Sequence, residues 1–197
     1  MSLLSRSRRW IRRLFPHEPP KRPDLVSVAE IRRWRQSLRS CCISPDIEVR
    51  GRRDALSRME LLSHASIDRS CIFWIADEDG AEPRISLGAR SYVGPFCFLA
   101  SYQPLIIGDD SLVGAYCYLT TGNHRRSQSD VPVHAQGYEG SPIRIGNNVW
   151  LGSHVVVLPG VTIGDNAVVG AGAVVTRSIP SGECWAGVPA RPLPASS

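Results

Sequence analysis

The chain has no apolar run approaching the roughly 18 residues that a membrane-spanning helix needs. Its N-terminus carries arginines where a cleaved leader would need an apolar segment, so no leader is expected. No Cys-x-x-Cys pair occurs among its six cysteines; Cys41 and Cys42 are adjacent and Cys184 stands alone, which is not a zinc-ligand spacing. Histidine is sparse, with His17, His64, His124, His134 and His154 spread along the chain. These absences lead to the expectation of a cytoplasmic protein with reduced thiols. At 197 residues, one domain with a terminal appendage is expected.

The net positive charge belongs to one end. Residues 1–39 hold 11 Lys/Arg against 3 Asp/Glu, a net +8, while the remainder holds 12 against 15, a net −3. The main domain is therefore mildly acidic, which argues against nucleic-acid binding. Within the arm, residues 8–15 (Arg8-Arg9-Trp10-Ile11-Arg12-Arg13-Leu14-Phe15) combine basic and aromatic-aliphatic residues before a proline-rich break. Such a segment suits contact with a membrane surface, here the inner face of the membrane; the alternative is a solvated arm or a helix packing on the rest of the protein. Residues 26–38 have a helical spacing, with Ile31, Trp34 and Leu38 three and four apart.

The strongest pattern is a period of six. From Ile145 onward Leu151, Val157, Ile163, Val169 and Val175 follow at that interval. Neither a helix nor a plain strand has this period, whereas a parallel β-helix of hexapeptide sides does. Upstream the guide residues fall into triplets, 61/67/73, 87/93/99 and 107/113/119, followed by 145/151/157 and 163/169/175. Each triplet predicts one triangular coil, so about five coils are expected, a column on the order of 24 Å tall. Insertions of 8, 2, 20 and 0 residues separate the triplets, all after the third side and hence at one corner.

Two further positions support the register. Glycine follows the guide at 88, 94, 108, 114, 146, 152, 164 and 170, which predicts a corner of positive φ there. The residue four after the guide is small or β-branched, including Cys71, Cys97 and Cys117, which are expected to form a ladder of buried thiols. Residues 43–60 carry Ile43, Val49 and Ala55 at the same period, but Arg52, Arg53 and Asp54 count against a further coil. The predicted organisation is an arm over 1–40, a β-helix over 41–180 with an active-site loop at 120–144, and a tail over 181–197.

His124 stands where the third coil gives way to the longest insertion, in Thr121-Gly-Asn-His124. Reactive groups are often placed on loops held by a rigid scaffold, and histidine accepts protons near neutral pH. A plain surface histidine is the competing reading.

The stretches 145–156, 158–176 and 187–191, with Thr121-Gly-Asn-His124, resemble the left-handed β-helix acetyltransferases, in particular the galactoside/maltose and colanic-acid types. The resemblance implies a left-handed helix, a homotrimer, and acetyl transfer from acetyl-CoA to a hydroxyl of a sugar or glycan without a metal. His124 matches the family's general base. Trp150 matches its tryptophan beside the pantetheine arm, and Ser153, Ala171 and Thr176 match the edge along which CoA lies. Arg177 and Arg191 are placed for the CoA phosphates, a task suited to guanidinium. The chain departs from the colanic-acid pattern in having Arg125-Arg126 directly after the histidine. It also departs from the galactoside pattern over Cys97–Ser101, where acceptor-binding Asn and Asp are expected. Asn123 and Arg125 are thus candidate acceptor contacts, suited to an anionic glycan. Competing classes are a serine or antibiotic acetyltransferase, a β-helical carbonic anhydrase using His124, His134 and His154, and an inactive trimeric scaffold.

Overall fold

The computed structural model describes residues 25–52, 54–76 and 84–194. Segment 8–15, His17, Arg53 and the insertion at 77–83 lie outside the described residues. The rest is a three-sided column of short parallel strands. Every guide pairs with its counterpart one coil away: Leu61 with Leu87, Ile107, Ile145 and Ile163 on the first face, Ile67 through Val93, Val113, Leu151 and Val169 on the second, and Phe73 through Leu99, Leu119, Val157 and Val175 on the third. All fifteen side chains are buried and form one continuous core. The period of six is thus converted directly into burial, the dominant favourable term in folding.

The column extends beyond the five expected coils at both ends. Ile43 and Val49 pair with Ile67 and Phe73, adding second-face and third-face strands below them. Arg52 and Asp54, which counted against this coil, lie outside the prism. Arg52 and Arg58 both reach Asp54, at 3.0 and 2.7 Å, around the short helix Ala55–Arg58. Ala55 is buried in that helix rather than on a strand. The stretch Asp54–Arg58 therefore belongs to another excursion from the same corner, and Leu61 resumes the first face. At the other end Ile179 bridges to Ile163 and Trp185 pairs with Val169. The chain then reverses, and Arg191–Pro192 runs antiparallel to Cys184–Ala186.

Helix α1, Val28–Ser37, closes the N-terminal end. Ser27 caps it by accepting from the Glu30 backbone N–H, and Glu30 reciprocates at Ser27 N, a capping box that satisfies two otherwise unpaired amides. Ile31 is buried in the core, with Trp34 and Leu38 packed against it, as their spacing predicts. No described helix is long and apolar enough to cross a membrane.

The glycines after the guides do not serve the purpose expected of them. None has positive φ. Positive φ falls two residues later, at His64, Ser70, Arg90, Phe96, Asp110, Tyr116, Asn148, His154 and Asn166, and at Gly160 and Gly172. The post-guide glycines answer a lack of space: a Cβ on Gly108 would lie 2.5 Å from Gly146 O, and one on Gly152 2.6 Å from Ala171 N. Stacked coils press backbone against backbone at both of these corners. Gly108→Ala is accordingly expected to destabilise the fold by about 1–3 kcal/mol, since the obstacle is backbone that cannot step aside. Urea unfolding measures this, and an unchanged midpoint would contradict the steric account.

The cysteine ladder is present. The Sγ atoms of Cys71, Cys97 and Cys117 donate to the carbonyls of Gly94, Gly114 and Gly152 in the next coil at 3.1, 3.1 and 3.2 Å. These thiols are structural donors between coils, and they are free.

Candidate functional site

Two excursions of unequal length meet beside the third face. The longer one leaves after Leu119 and forms a small antiparallel ribbon, Gly122–His124 against Tyr138–Gly140. Its outer loop closes on itself through Gln136, whose Nε2 donates to Gln128 O and Val131 O at 2.8 and 2.7 Å. The shorter one is the two-residue step at 102–103, one coil below. Buried Thr121 ties them together: its Oγ1 accepts from the amides of Tyr102 and Gln103 at 2.8 and 2.9 Å.

This clamp sets the Tyr102 ring against the root of the ribbon. A Cβ on Gly122 would come within 2.5 Å of Tyr102 Cγ, so glycine is required where the ring passes. Tyr102 stacks on Tyr138 at 4.6 Å between centroids, and Tyr138 in turn faces the His124 ring at 4.1 Å. His124 therefore ends a three-ring pile on a rigid ribbon, and its side chain is exposed. Neither tyrosine was singled out from the sequence. The available signal was positional: the two-residue insertion leaves from the same corner as the long one, in the adjacent coil.

The remaining candidates separate into two groups. Trp150 projects from the second face with 55% of its surface exposed. Ser153 and Ala171 follow on successive coils at the corner between second and third faces, where Ser153 O accepts from Gly172 N at 2.9 Å. Arg191 sits in the terminal antiparallel strand and donates to Ala190 O at 2.8 Å. Thr176 and Arg177 lie past Val174–Val175, at the corner from which the His124 excursion also departs. The Arg177 guanidinium lies 4.9 Å over the ring of Trp185, a third residue not singled out from the sequence. Within one chain the third face stands between the His124 corner and the Trp150–Ser153–Ala171 edge.

Asn123 pairs with Glu139 across the ribbon, and the Arg125 amide donates to Gly137 O at 3.0 Å. Strand alternation turns successive side chains to opposite faces, which sets Asn123 and Arg125 opposite His124. Among the described residues, no three His, Cys, Asp or Glu side chains gather as a metal site. His124, His134 and His154 thus do not converge within the chain.

An uninterrupted aromatic ladder runs up the corner between second and third faces: Arg69 over Phe96, Phe96 on Tyr116, Tyr116 on His154, with ring separations of 4.9 Å for both stacked pairs. Leu112, Tyr118 and Trp150 extend it as exposed apolar surface on the two flanking faces.

Comparison with known proteins agrees with this architecture. The model of the bacterial transferase hexapeptide (six repeats) matches residues 142–177, and that of the hexapeptide repeat of succinyl-transferase matches residues 104–122. The galactoside O-acetyltransferase of Escherichia coli K12 is 37% identical over 139 residues, 67% of this chain and 68% of that protein. A putative lipopolysaccharide biosynthesis O-acetyl transferase of the same organism is 39% identical over 106 residues, and the chain spans only 54% of its length. Among solved structures, a galactoside acetyltransferase in complex with coenzyme A superposes with a TM-score of 0.57 at 34% identity, over 68% of this chain and 62% of that one. An N-acyltransferase from Bacillus cereus shares the fold at 16% identity, with a TM-score of 0.62 over 89% of this chain and 91% of that one. The chain belongs to the hexapeptide-repeat acetyltransferases, and its column is the left-handed parallel β-helix of that family.

Proposed function

We propose that this protein transfers an acetyl group from acetyl-CoA to a hydroxyl of a saccharide, with His124 as the general base. The observation that carries this reading is the presentation of an exposed imidazole on a rigid ribbon, in a chain 37% identical to a galactoside O-acetyltransferase. His124 takes the proton of the acceptor hydroxyl as its oxygen attacks the thioester carbonyl. The tetrahedral intermediate collapses, the C–S bond breaks, and the imidazolium returns the proton to the departing thiolate. No covalent enzyme intermediate is required, in keeping with the buried thiols of Cys71, Cys97 and Cys117 being occupied as structural donors. A backbone amide or Ser153 supplies the oxyanion donor.

The division of candidates between two corners supports a homotrimer. A neighbouring column laid against the exposed aromatic ladder brings its own His124 corner toward the Trp150–Ser153–Ala171 edge of the first. Each site is then completed by two chains, with CoA extended along that edge. Arg177 and Arg191 serve its phosphates. Leu112, Phe96, Tyr116, Tyr118 and Trp150, each at least 40% exposed, give such a neighbour an apolar surface to cover. Asn123 and Arg125 are assigned to acceptor groups remote from the reacting hydroxyl, because the ribbon turns them away from His124. Peripheral membrane contact through residues 8–15 is a further part of this reading, supported by their charge and aromatic content alone.

Release of free thiol from acetyl-CoA, followed across neutral sugars, acidic glycans, serine and antibiotic acceptors, tests the reaction. Turnover on a saccharide, with native mass near three chain masses, is the expected result. No thermal shift from CoA and no turnover on any acceptor would instead favour a scaffold without activity. With the active acceptor in hand, Arg125→Ala is expected to raise KM for an anionic acceptor several-fold and leave a neutral one unaffected.

A further inference from the structure

A general base on an exposed ribbon has an orientation problem. Imidazole turns freely about its terminal torsion unless something holds the ring plane. Catalytic histidines are ordinarily oriented by a third group that hydrogen-bonds the far ring nitrogen. Among the described residues no hydrogen bond holds either ring nitrogen of His124, and the contact that the ring does make is with the face of Tyr138.

We propose that Tyr138 is a positioning residue for the reaction, fixing the ring plane of His124 by stacking, with Tyr102 as its backstop. The inference rests on the reading of His124 as the base. Three independent features converge on the pile. The ribbon register puts Tyr138 directly opposite His124. Tyr102 closes the far side of Tyr138 with rings 28° apart, so the middle ring cannot swing away. Tyr102 is itself fixed by the Thr121 clamp and by the bare surface of Gly122. The two-residue step at 102–103 thereby acquires a role: without it no side chain would stand behind Tyr138. The electron-rich face of Tyr138 also favours the imidazolium that forms as the acceptor is deprotonated.

The proposal concerns a ring face and not the phenolic hydroxyl, so Tyr138→Phe and Tyr138→Leu separate it from hydroxyl chemistry. Misplacement of a catalytic group by about 1 Å costs on the order of 100-fold in rate. With an acceptor from the screen above, Tyr138→Leu is expected to lower kcat roughly 10- to 100-fold. KM for acetyl-CoA should stay within about two-fold, because Tyr138 is not among the residues assigned to CoA contact. Tyr138→Phe should retain the wild-type rate.

A second measurement needs no turnover. In the full-length protein with labelled histidine, the His124 ring protons, assigned by loss in His124→Gln, should be displaced upfield by the adjacent aromatic ring. They should return toward random-coil positions in Tyr138→Leu but not in Tyr138→Phe. Unchanged His124 signals in Tyr138→Leu, or a Phe variant as impaired as the Leu variant, would overturn the proposal. Full activity of His124→Gln would defeat the general-base reading instead, and leave the ring-proton result to stand on its own.

Discussion

His124→Ala is expected to lower kcat for acetyl transfer by about 100- to 10,000-fold, the range that a positioned general base contributes. The reason is specific to this step. A sugar hydroxyl is a poor nucleophile until its proton is removed, and under the proposed mechanism that proton goes to the His124 ring, which the ribbon holds out to solvent. KM for acetyl-CoA should change little, because the candidates for CoA contact lie along the Trp150–Ser153–Ala171 edge. Stability should also change little, since the side chain is exposed at the end of the ring pile. Steady-state rates together with a thermal melt measure all three quantities. Turnover within ten-fold of the unsubstituted protein would remove His124 from the mechanism and redirect attention to Ser153.

The second large effect is at the end of the column. Trp185→Ala should destabilise the fold by roughly 3–5 kcal/mol, the usual loss for truncating a buried aromatic. Trp185 is only 4% exposed and occupies the guide position above Val169, so it shields the last complete coil. Its indole N–H donates to Glu183 at 2.6 Å, which satisfies the one polar atom that it buries. The same ring is the platform under Arg177. Its loss should therefore also raise KM for acetyl-CoA several-fold, if Arg177 meets the CoA phosphates. Trp185→Phe keeps a platform and should recover most of the CoA affinity while losing the Glu183 hydrogen bond. Denaturant unfolding and acetyl-CoA saturation curves read the two consequences separately. An unshifted unfolding midpoint in the alanine variant would show that the last coil does not depend on its cap.

Some features could be read from residue order because they recur. Leu151, Val157, Ile163, Val169 and Val175 each point inward for the same local reason, and repetition makes that reason visible. The corner of the insertions was legible in the same way, since interruptions in phase imply a common exit. Other features have no repeating signature. A glycine needed for positive φ and a glycine needed for lack of space look alike in a sequence, and Gly108 and Gly152 proved to be of the second kind. The charges of Arg52 and Asp54 resembled a break in the core but belong to an excursion outside it. His124 was identifiable as a candidate because it opens the longest insertion. Tyr138, fourteen residues further on, and Tyr102, in the coil below, carried no comparable mark.

By itself the sequence determined the column: its period, the in-phase guides, the exit corner, the buried thiol ladder and the family resemblance. All of these follow from local chain geometry repeated many times, so one residue's fate predicts the next. Tertiary structure alone decided how the two excursions meet, how Thr121 clamps them, and how Tyr102 and Tyr138 stand behind the His124 ring. Those contacts occur once, between segments distant in the chain, and depend on register across coils that no single repeat encodes.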